Sequence, residues 1–224
     1  MTGERVLLLS KRDVWSQHAA RIVQVAFPGA RWCPGTRGEP APFEVAASPD
    51  YLFSFLSPWI VPAAVLERCK IAINFHPGSA HYPGIGCYNF ALYEGAAEYG
   101  AVAHHMAPAV DAGDLIEERV FPLFANDTVE TLKLRTMVVL LALFHDVVAG
   151  LAAGLPLPST DARWLRRPFM RRELDALTVI GADMAPAEIA RRVRATTYPG
   201  FPGAAVELGG VRFAAPVPDR EPLA

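Results

Sequence analysis

The sequence predicts an α/β fold: a doubly wound, mostly parallel sheet with a small C-terminal helix and β-hairpin extension. Three observations predict it. Apolar runs at residues 5–10, 50–55 and 71–75 lack polar alternation, as strands buried on both faces do. Segments of helical periodicity alternate with them, the pattern of a parallel sheet with crossover helices. Near the C-terminus, residues 205–213 carry Gly209-Gly210 at their centre, a hairpin turn signal. Residues 1–155 are expected to form the sheet domain and residues 156–224 the extension.

Residues 5–10 form the first strand, and Asp13 caps a helix that runs to about Phe27 before Pro28-Gly29 ends it. Residues 33–49 are rich in Pro and Gly, so a short strand near residues 31–33 and a loop are expected. Residues 50–55 are the next strand, followed by Ser57-Pro58-Trp59 and a short helix over 62–68. Residues 71–75, 101–106 and 115–121 are strands, and 88–95 a short helix. Residues 128–150 form a long helix with Asp127 as its cap, because apolar residues recur there at three- and four-residue spacing. Residues 154–168 read as an extended connector. Arg171 opens a turn into a helix, and residues 186–194 are another helix. Residues 196–203 form a rigid aromatic loop.

Composition sets limits. The 224 residues are 52% hydrophobic and 20% charged, a globular rather than disordered balance. A net charge of −2, from 21 basic and 23 acidic residues, gives no bulk attraction to nucleic acid or to an anionic membrane. It also counts against a tRNA substrate, since phosphate contacts carry much of nucleic-acid affinity. Cys33, Cys69 and Cys87 are scattered without metal-ligand spacing, which predicts a reduced cytoplasmic setting and no metal. Met1 leads almost at once into a strand, without the order of a secretory leader. The apolar stretch 137–148 is read as a buried helix, being too short to span a membrane and carrying His145 and Asp146.

The run Ile71-Ala72-Ile73-Asn74-Phe75-His76-Pro77-Gly78 carries the chemistry. Asn74 and His76 are two apart, so on a strand they project from the same face. Burying such a pair without partners is costly. Some thirty-five residues on, Val110-Asp111-Ala112-Gly113-Asp114 adds a carboxylate. Taken singly, each has a plain reading: a structural histidine, a turn-forming asparagine, an acidic turn. Together an amide, an imidazole and a carboxylate at neighbouring strand ends suit transfer of a one-carbon acyl unit to an amine. Ligands of doubly wound sheets bind beyond the carboxyl ends of the strands, where all three residues are expected.

Asn74-x-His76-Pro77, a Pro-Gly-rich loop, a helix ending in Glu94-Gly95, a strand carrying His, then Val110-Asp111-Ala112-Gly113-Asp114-Leu115-Ile116 resembles the folate-dependent formyltransferases. These include glycinamide ribonucleotide, methionyl-tRNA and sugar N-formyltransferases. The resemblance covers residues 50–125 closely and implies 10-formyltetrahydrofolate as donor, with no metal. It places the catalytic Asn, His and Asp on Asn74, His76 and Asp111. In such a site His76 and the Asn74 amide donate to the tetrahedral oxyanion. Asp111 favours the imidazolium of His76 or takes a proton from the amine, directly or through water. The resemblance further implies that Phe55, Leu56, Ser57 and residues 106–110, from Met106 to Val110, contact the pterin through their backbone. Gly113 and Asp114 lie in the same turn, and Gly113 is expected to permit a tight turn or positive φ.

For the acceptor, the resemblance points to a nucleotide-diphosphate amino sugar. The loop from Ser79 to Phe90 is similar to that of the sugar enzymes, although Gly78-Ser79-Ala80-His81 replaces the family's usual Ser-Leu-Leu-Pro. Tyr82, foremost, and Tyr88 and Asn89 are the acceptor-side candidates; His81 and His105 also come into question. The tail from Arg194 to Ala204 looks like the segment that follows the sugar enzymes' catalytic domain. There Arg194 offers a fork to a diphosphate, and Tyr198 or Phe201 a face to a base. The bland alternatives are a solvated face for Arg191, Arg192 and Arg194, and core anchors for Tyr198 and Phe201. Trp164, with Arg166 and Arg167, is either a sugar-pocket wall or a surface strip. A homodimer is expected from the hairpin and the same resemblance. Other readings are a purine-pathway ribonucleotide or methionyl-tRNA as acceptor, a folate-binding module without catalysis, and hydrolysis of formyl-folate.

Overall fold

Apolar runs at residues 6–9 and 51–55 bury the middle of the central sheet. The computed structural model describes residues 5–43 and 48–216. Residues 44–47 of the Pro- and Gly-rich stretch, and the outer ends of both expected domains, lie outside the described residues. Strands β1 (Val6–Lys11), β2 (Arg31–Gly35), β3 (Tyr51–Phe55), β4 (Ile71–His76), β5 (Glu98–His105) and β6 (Leu115–Pro122) form one sheet in the order β2-β1-β3-β4-β5-β6. The first four are mutually parallel; β5 runs antiparallel to β4, and β6 antiparallel to β5. Parallel neighbours need crossover connections, and these put helices on the sheet faces.

Helices α1 (Val14–Ala26) and α4 (Val129–Ala152) cover one face together. There Phe53, Phe55 and Phe75 pack edge-on around Phe144, with ring centroids 6.2, 5.2 and 4.6 Å from it. On the other face Leu7, Leu9 and Leu52 meet Val61 and Val65, the latter in the short α2 (Ala63–Leu66). Asp13 caps α1 by accepting the Ser16 amide at 2.8 Å, as expected.

Helix α4 departs from expectation in two ways. Its cap is Thr128, whose hydroxyl accepts the Thr131 amide. Asp127 instead accepts the Phe124 amide at 2.7 Å and pairs with Arg135 at 2.6 Å, fixing the loop before the helix. The helix also runs to 24 residues, so it is long and apolar enough to cross a membrane by length and composition. Leu132, Leu140, Leu143, Phe144 and Val148 are nevertheless buried in the protein's own core, and that burial, rather than shortness, accounts for its apolar composition.

The C-terminal part adds α5 (Arg171–Leu177), α6 (Pro186–Thr196) and a three-stranded sheet. The hairpin β8 (Ala205–Leu208) and β9 (Val211–Ala214) turns at Gly209-Gly210, both in the left-handed region. Strand β7 (Val179–Ile180), which the sequence does not announce, adds to β8 in parallel. Helix α6 lies against α3 (Cys87–Glu94), where Asn89 Nδ2 donates to the Ala195 carbonyl at 2.7 Å.

Candidate active site

Antiparallel pairing of β4 with β5 sets Asn74 directly opposite His104. Because β5 runs the other way, its C-terminus points away from the carboxyl ends of β1 to β4. Asp111 therefore does not simply follow a strand end, as expected; the loop after β5 returns to bring its carboxylate between two imidazoles. His76 Nδ1 is 3.3 Å from Asp111 Oδ2, and His104 Nε2 is 3.4 Å from Asp111 Oδ1. Asn74 Nδ2 lies 3.0 Å from His104 Nε2 and donates to Asp111 Oδ1 at 3.4 Å. His76, His104 and Asp111 are 5%, 2% and 7% exposed, so the carboxylate meets both rings largely out of water, where electrostatic interaction is strong.

Asp111 is held in place by backbone. Its φ is +45°, a left-handed conformation that costs a non-glycine residue about 1–2 kcal/mol. The Gly84 amide donates to its Oδ2 at 2.8 Å. Burial alone works to raise the Asp111 carboxyl; the adjacent His76 and His104 and the Gly84 amide outweigh it and hold the group well below the usual carboxylate range. Asp111 is thus a committed carboxylate.

Each imidazole is oriented by a carbonyl. His76 Nε2 is 2.9 Å from the Tyr82 carbonyl, while its Nδ1 faces Asp111. A ring serving both acceptors carries two N–H groups. His104 Nδ1 meets the His105 carbonyl at 2.8 Å, and its Nε2 faces both the Asn74 amide and the Asp111 carboxylate. Pro77 is anchored from behind: its carbonyl accepts the Tyr99 hydroxyl at 2.9 Å and the Cys87 thiol at 3.4 Å.

A cavity of about 350 Å³ opens on this cluster. Asn74, His76, His104 and Asp111 line one part of it. The loop after β3 supplies Leu56, Ser57, Pro58, Trp59 and Ile60, and the loop after β5 supplies residues from Met106 to Val110. Leu56 has φ +56°, a second non-glycine residue in the left-handed region, at the turn that aims this loop across the cavity mouth. Among the described residues no group of His, Cys, Asp and Glu is arranged to hold a metal ion.

The sequence-selected residues divide. Asn74, His76 and Asp111 converge, and Leu56, Ser57, Met106 and Val110 line the same cavity. Phe55, Gly113 and Asp114 do not. The Phe55 ring is fully buried under Phe144, and the Asp114 carbonyl accepts the His105 amide. Gly113 is required for a different reason from positive φ: a Cβ there would stand 1.8 Å from the His105 carbonyl oxygen.

The acceptor-side candidates lie off this cavity. Tyr82 buries its ring against Tyr99 and Phe169, and burial, then Glu94, pushes its hydroxyl up to about 12. It touches the cluster through its carbonyl. Tyr88 packs on Tyr99, and Asn89 is occupied with Ala195. Arg194 is no free fork: its guanidinium donates to the Asp127 carbonyl at 3.0 Å and the Phe124 carbonyl at 3.3 Å. Tyr198 takes a hydrogen bond from Lys133, and its ring lies tilted against that of Phe201. His81 and His105 are exposed, and neither joins the cluster. Sequence reading missed His104. Its signal was the strand alternation that an antiparallel β4–β5 pair would impose, opposing Asn74 to His104 rather than His105.

The chain is similar to known proteins in sequence and in fold. A family model described as formyl transferase matches residues 11–148. Methionyl-tRNA formyltransferase of Latilactobacillus sakei is 37% identical over 86 residues, 37% of this chain and 27% of that protein. The chain thus matches about a quarter of that curated relative's length. A sugar N-formyltransferase from Shewanella sp. FDAARGOS_354 superposes with a TM-score of 0.80 at 18% identity, covering 100% of both chains. An N-formyltransferase from Helicobacter canadensis, in complex with folinic acid and dTDP-3-aminofucose, superposes with a TM-score of 0.70 at 15% identity over 92% of this chain and 85% of that one.

Proposed function

The chain belongs to the formyl transferase family, and from that we propose that it moves a formyl group from 10-formyltetrahydrofolate to the amine of a nucleotide-linked amino sugar. One observation carries the reading: Asn74, His76 and Asp111 meet, largely buried, at a cavity of about 350 Å³. In this reaction the neutral amine attacks the formyl carbon, and a tetrahedral oxyanion forms. Its collapse breaks the bond to N10 of the folate, which takes a proton as the amine gives one up.

His76, with an N–H on each ring nitrogen, is suited to stabilise that oxyanion. The formyl oxygen competes with the Tyr82 carbonyl for the Nε2 proton, a contact 2.9 Å long before substrate arrives. Asn74 has its amide hydrogens directed at His104 and Asp111, so it too shifts partner as charge develops. Asp111, ionised, is the acceptor for the amine proton. The loops from Leu56 to Ile60 and from Met106 to Val110 would hold the pterin largely through backbone and apolar contact.

The amino sugar as acceptor rests on whole-chain likeness in fold to sugar N-formyltransferases. The likeness in sequence to a methionyl-tRNA formyltransferase favours a second acceptor, methionyl-tRNA. The −2 net charge weighs for the first. The division at residue 155, a cytoplasmic setting and a homodimer belong to the same proposal. For the dimer, Leu208, Val211 and Phe213 of the hairpin expose apolar surface beside the β9 edge. Sedimentation at micromolar concentration tests the dimer.

The acceptor test is a mass-spectrometric screen with 10-formyltetrahydrofolate against amino-sugar nucleotides, glycinamide ribonucleotide and methionyl-tRNA. Gain of one formyl mass on an amino-sugar nucleotide bears the reading out. Gain only on methionyl-tRNA transfers it to the second acceptor, and formate release without any acceptor makes the protein a hydrolase.

A further inference from the structure

We infer that Trp164, in the connector after α4, is a positioning residue that locks the two histidines of the site against Asp111. This deepens the proposed reaction and rests on it for its kinetic consequences only. The indole stands edge-to-face on His76, with centroids 5.8 Å apart and planes at 78°, and on His104, at 5.2 Å and 80°. Its Nε1 donates to the Gly113 carbonyl at 2.9 Å, two residues beyond Asp111. A single side chain thus touches both imidazoles and the turn that carries the carboxylate between them, without itself lining the cavity. It packs instead with Ala80, Val102 and Leu115.

The connector is fastened on both sides of this contact. The Leu165 amide donates to the Ala80 carbonyl at 3.1 Å and the Phe169 amide to the Pro83 carbonyl at 3.0 Å. The Ile85 amide returns a bond to Phe169 at 2.9 Å. Between those points lie Tyr82, whose carbonyl orients His76, and Gly84, whose amide holds Asp111. The segment beyond the sheet domain therefore seats Trp164 from the rear, and removing the indole takes away the packing wall that both rings share, leaving only their hydrogen bonds to hold them in line. Misplacement of a catalytic group by about 1 Å costs on the order of 10²-fold in rate.

Trp164→Ala should lower kcat by about 10²-fold with KM for either co-substrate little changed, and Trp164→Phe should recover most of the loss by keeping an aromatic ring there. A second readout needs no substrate. The wild-type fluorescence minus that of Trp164→Phe isolates the emission of this indole, which stands against both rings and the Gly113 carbonyl. At one fixed pH that difference spectrum should change in intensity and position in His104→Gln, which removes one of the two rings. Wild-type kcat in Trp164→Ala, or a difference spectrum untouched by His104→Gln, overturns the inference. If Trp164→Ala does not fold, Trp164→Phe and the fluorescence decide it. Absence of formyl transfer to any acceptor would sink the proposed reaction and leave the fluorescence result standing on its own.

Discussion

Gly84 and Asp111 are joined by a 2.8 Å hydrogen bond from the glycine amide to Oδ2, and neither backbone is in an ordinary conformation. Gly84 has φ +88° and Asp111 φ +45°. A Cβ at Gly84 would stand 2.5 Å from the Phe169 carbonyl oxygen and 2.6 Å from its nitrogen. Gly84→Ala therefore meets two costs: about 1–2 kcal/mol for a left-handed alanine, and displacement of the connector backbone. Both lower thermal stability, and the displaced amide releases the carboxylate. Calorimetry should show a fall in Tm, and kcat should fall with it. Unchanged Tm and kcat would mean that the 84–169 bridge is not formed in solution.

His104 meets both Asn74 and Asp111 without a place in the motif that marks the site. His104→Ala strips a partner from each at once. We expect kcat to fall about tenfold to a hundredfold, less than for His76→Ala, because His104 acts chiefly by holding the other two. Steady-state kinetics check this, and equal KM with lower kcat is the required signature.

Much of this arrangement was legible in the sequence. The apolar runs of β1, β3 and β4 are short and bounded by turn residues, as buried strands are, and two-residue spacing puts Asn74 and His76 on one face whatever lies opposite. What lay opposite was not legible. Strand direction is fixed by long-range pairing, so nothing local announced that β5 turns antiparallel and brings His104, not His105, beside Asn74. For the same reason Arg194 looked free: its acceptors, the carbonyls of Phe124 and Asp127, lie far away in the chain and are backbone atoms that any residue supplies. Tyr82 draws notice by its side chain but contributes its carbonyl, which residue type cannot encode.

Asp111 also ties stability to pH. Its folded carboxyl lies below the unfolded value of about 3.9, so its stabilising contribution is complete above that value. It is lost as pH falls from about 4 through the folded value. Urea midpoints measured from about pH 2 to pH 6 should drop more steeply for wild type than for Asp111→Asn at the acid end. Parallel curves would show that the carboxylate is no better held in the folded protein than in the unfolded one.

Arg194 gives a prediction with opposite signs for two roles. Its guanidinium closes α6 onto the loop before α4 through two carbonyls. Hydrogen bonds from a charged group contribute about 1.5–3 kcal/mol, less where partly solvated. Arg194→Ala should therefore lower stability by about 1–2 kcal/mol while KM for a nucleotide-linked acceptor stays as it was. A raised KM at unchanged Tm would restore the diphosphate role.

Cys87 tests the packing behind the motif strand. Burial pushes its thiol up to about 11, in spite of contacts with Tyr99 and backbone that favour the thiolate. At about pH 8 roughly one molecule in a thousand then carries the nucleophilic form, and that form is still shielded. Cys33 is half-buried and meets reagent more readily. Iodoacetamide under native conditions should mark Cys33 first and leave Cys87 intact until the protein unfolds, as peptide mapping would show. The bond from Cys87 to the Pro77 carbonyl must break before the sulfur can be alkylated, and Pro77 follows His76 directly. Labelling of Cys87 at the rate of Cys33 would accordingly mean that the back of the motif opens in the native state, which the buried ring of Tyr99 bonded to the same carbonyl opposes.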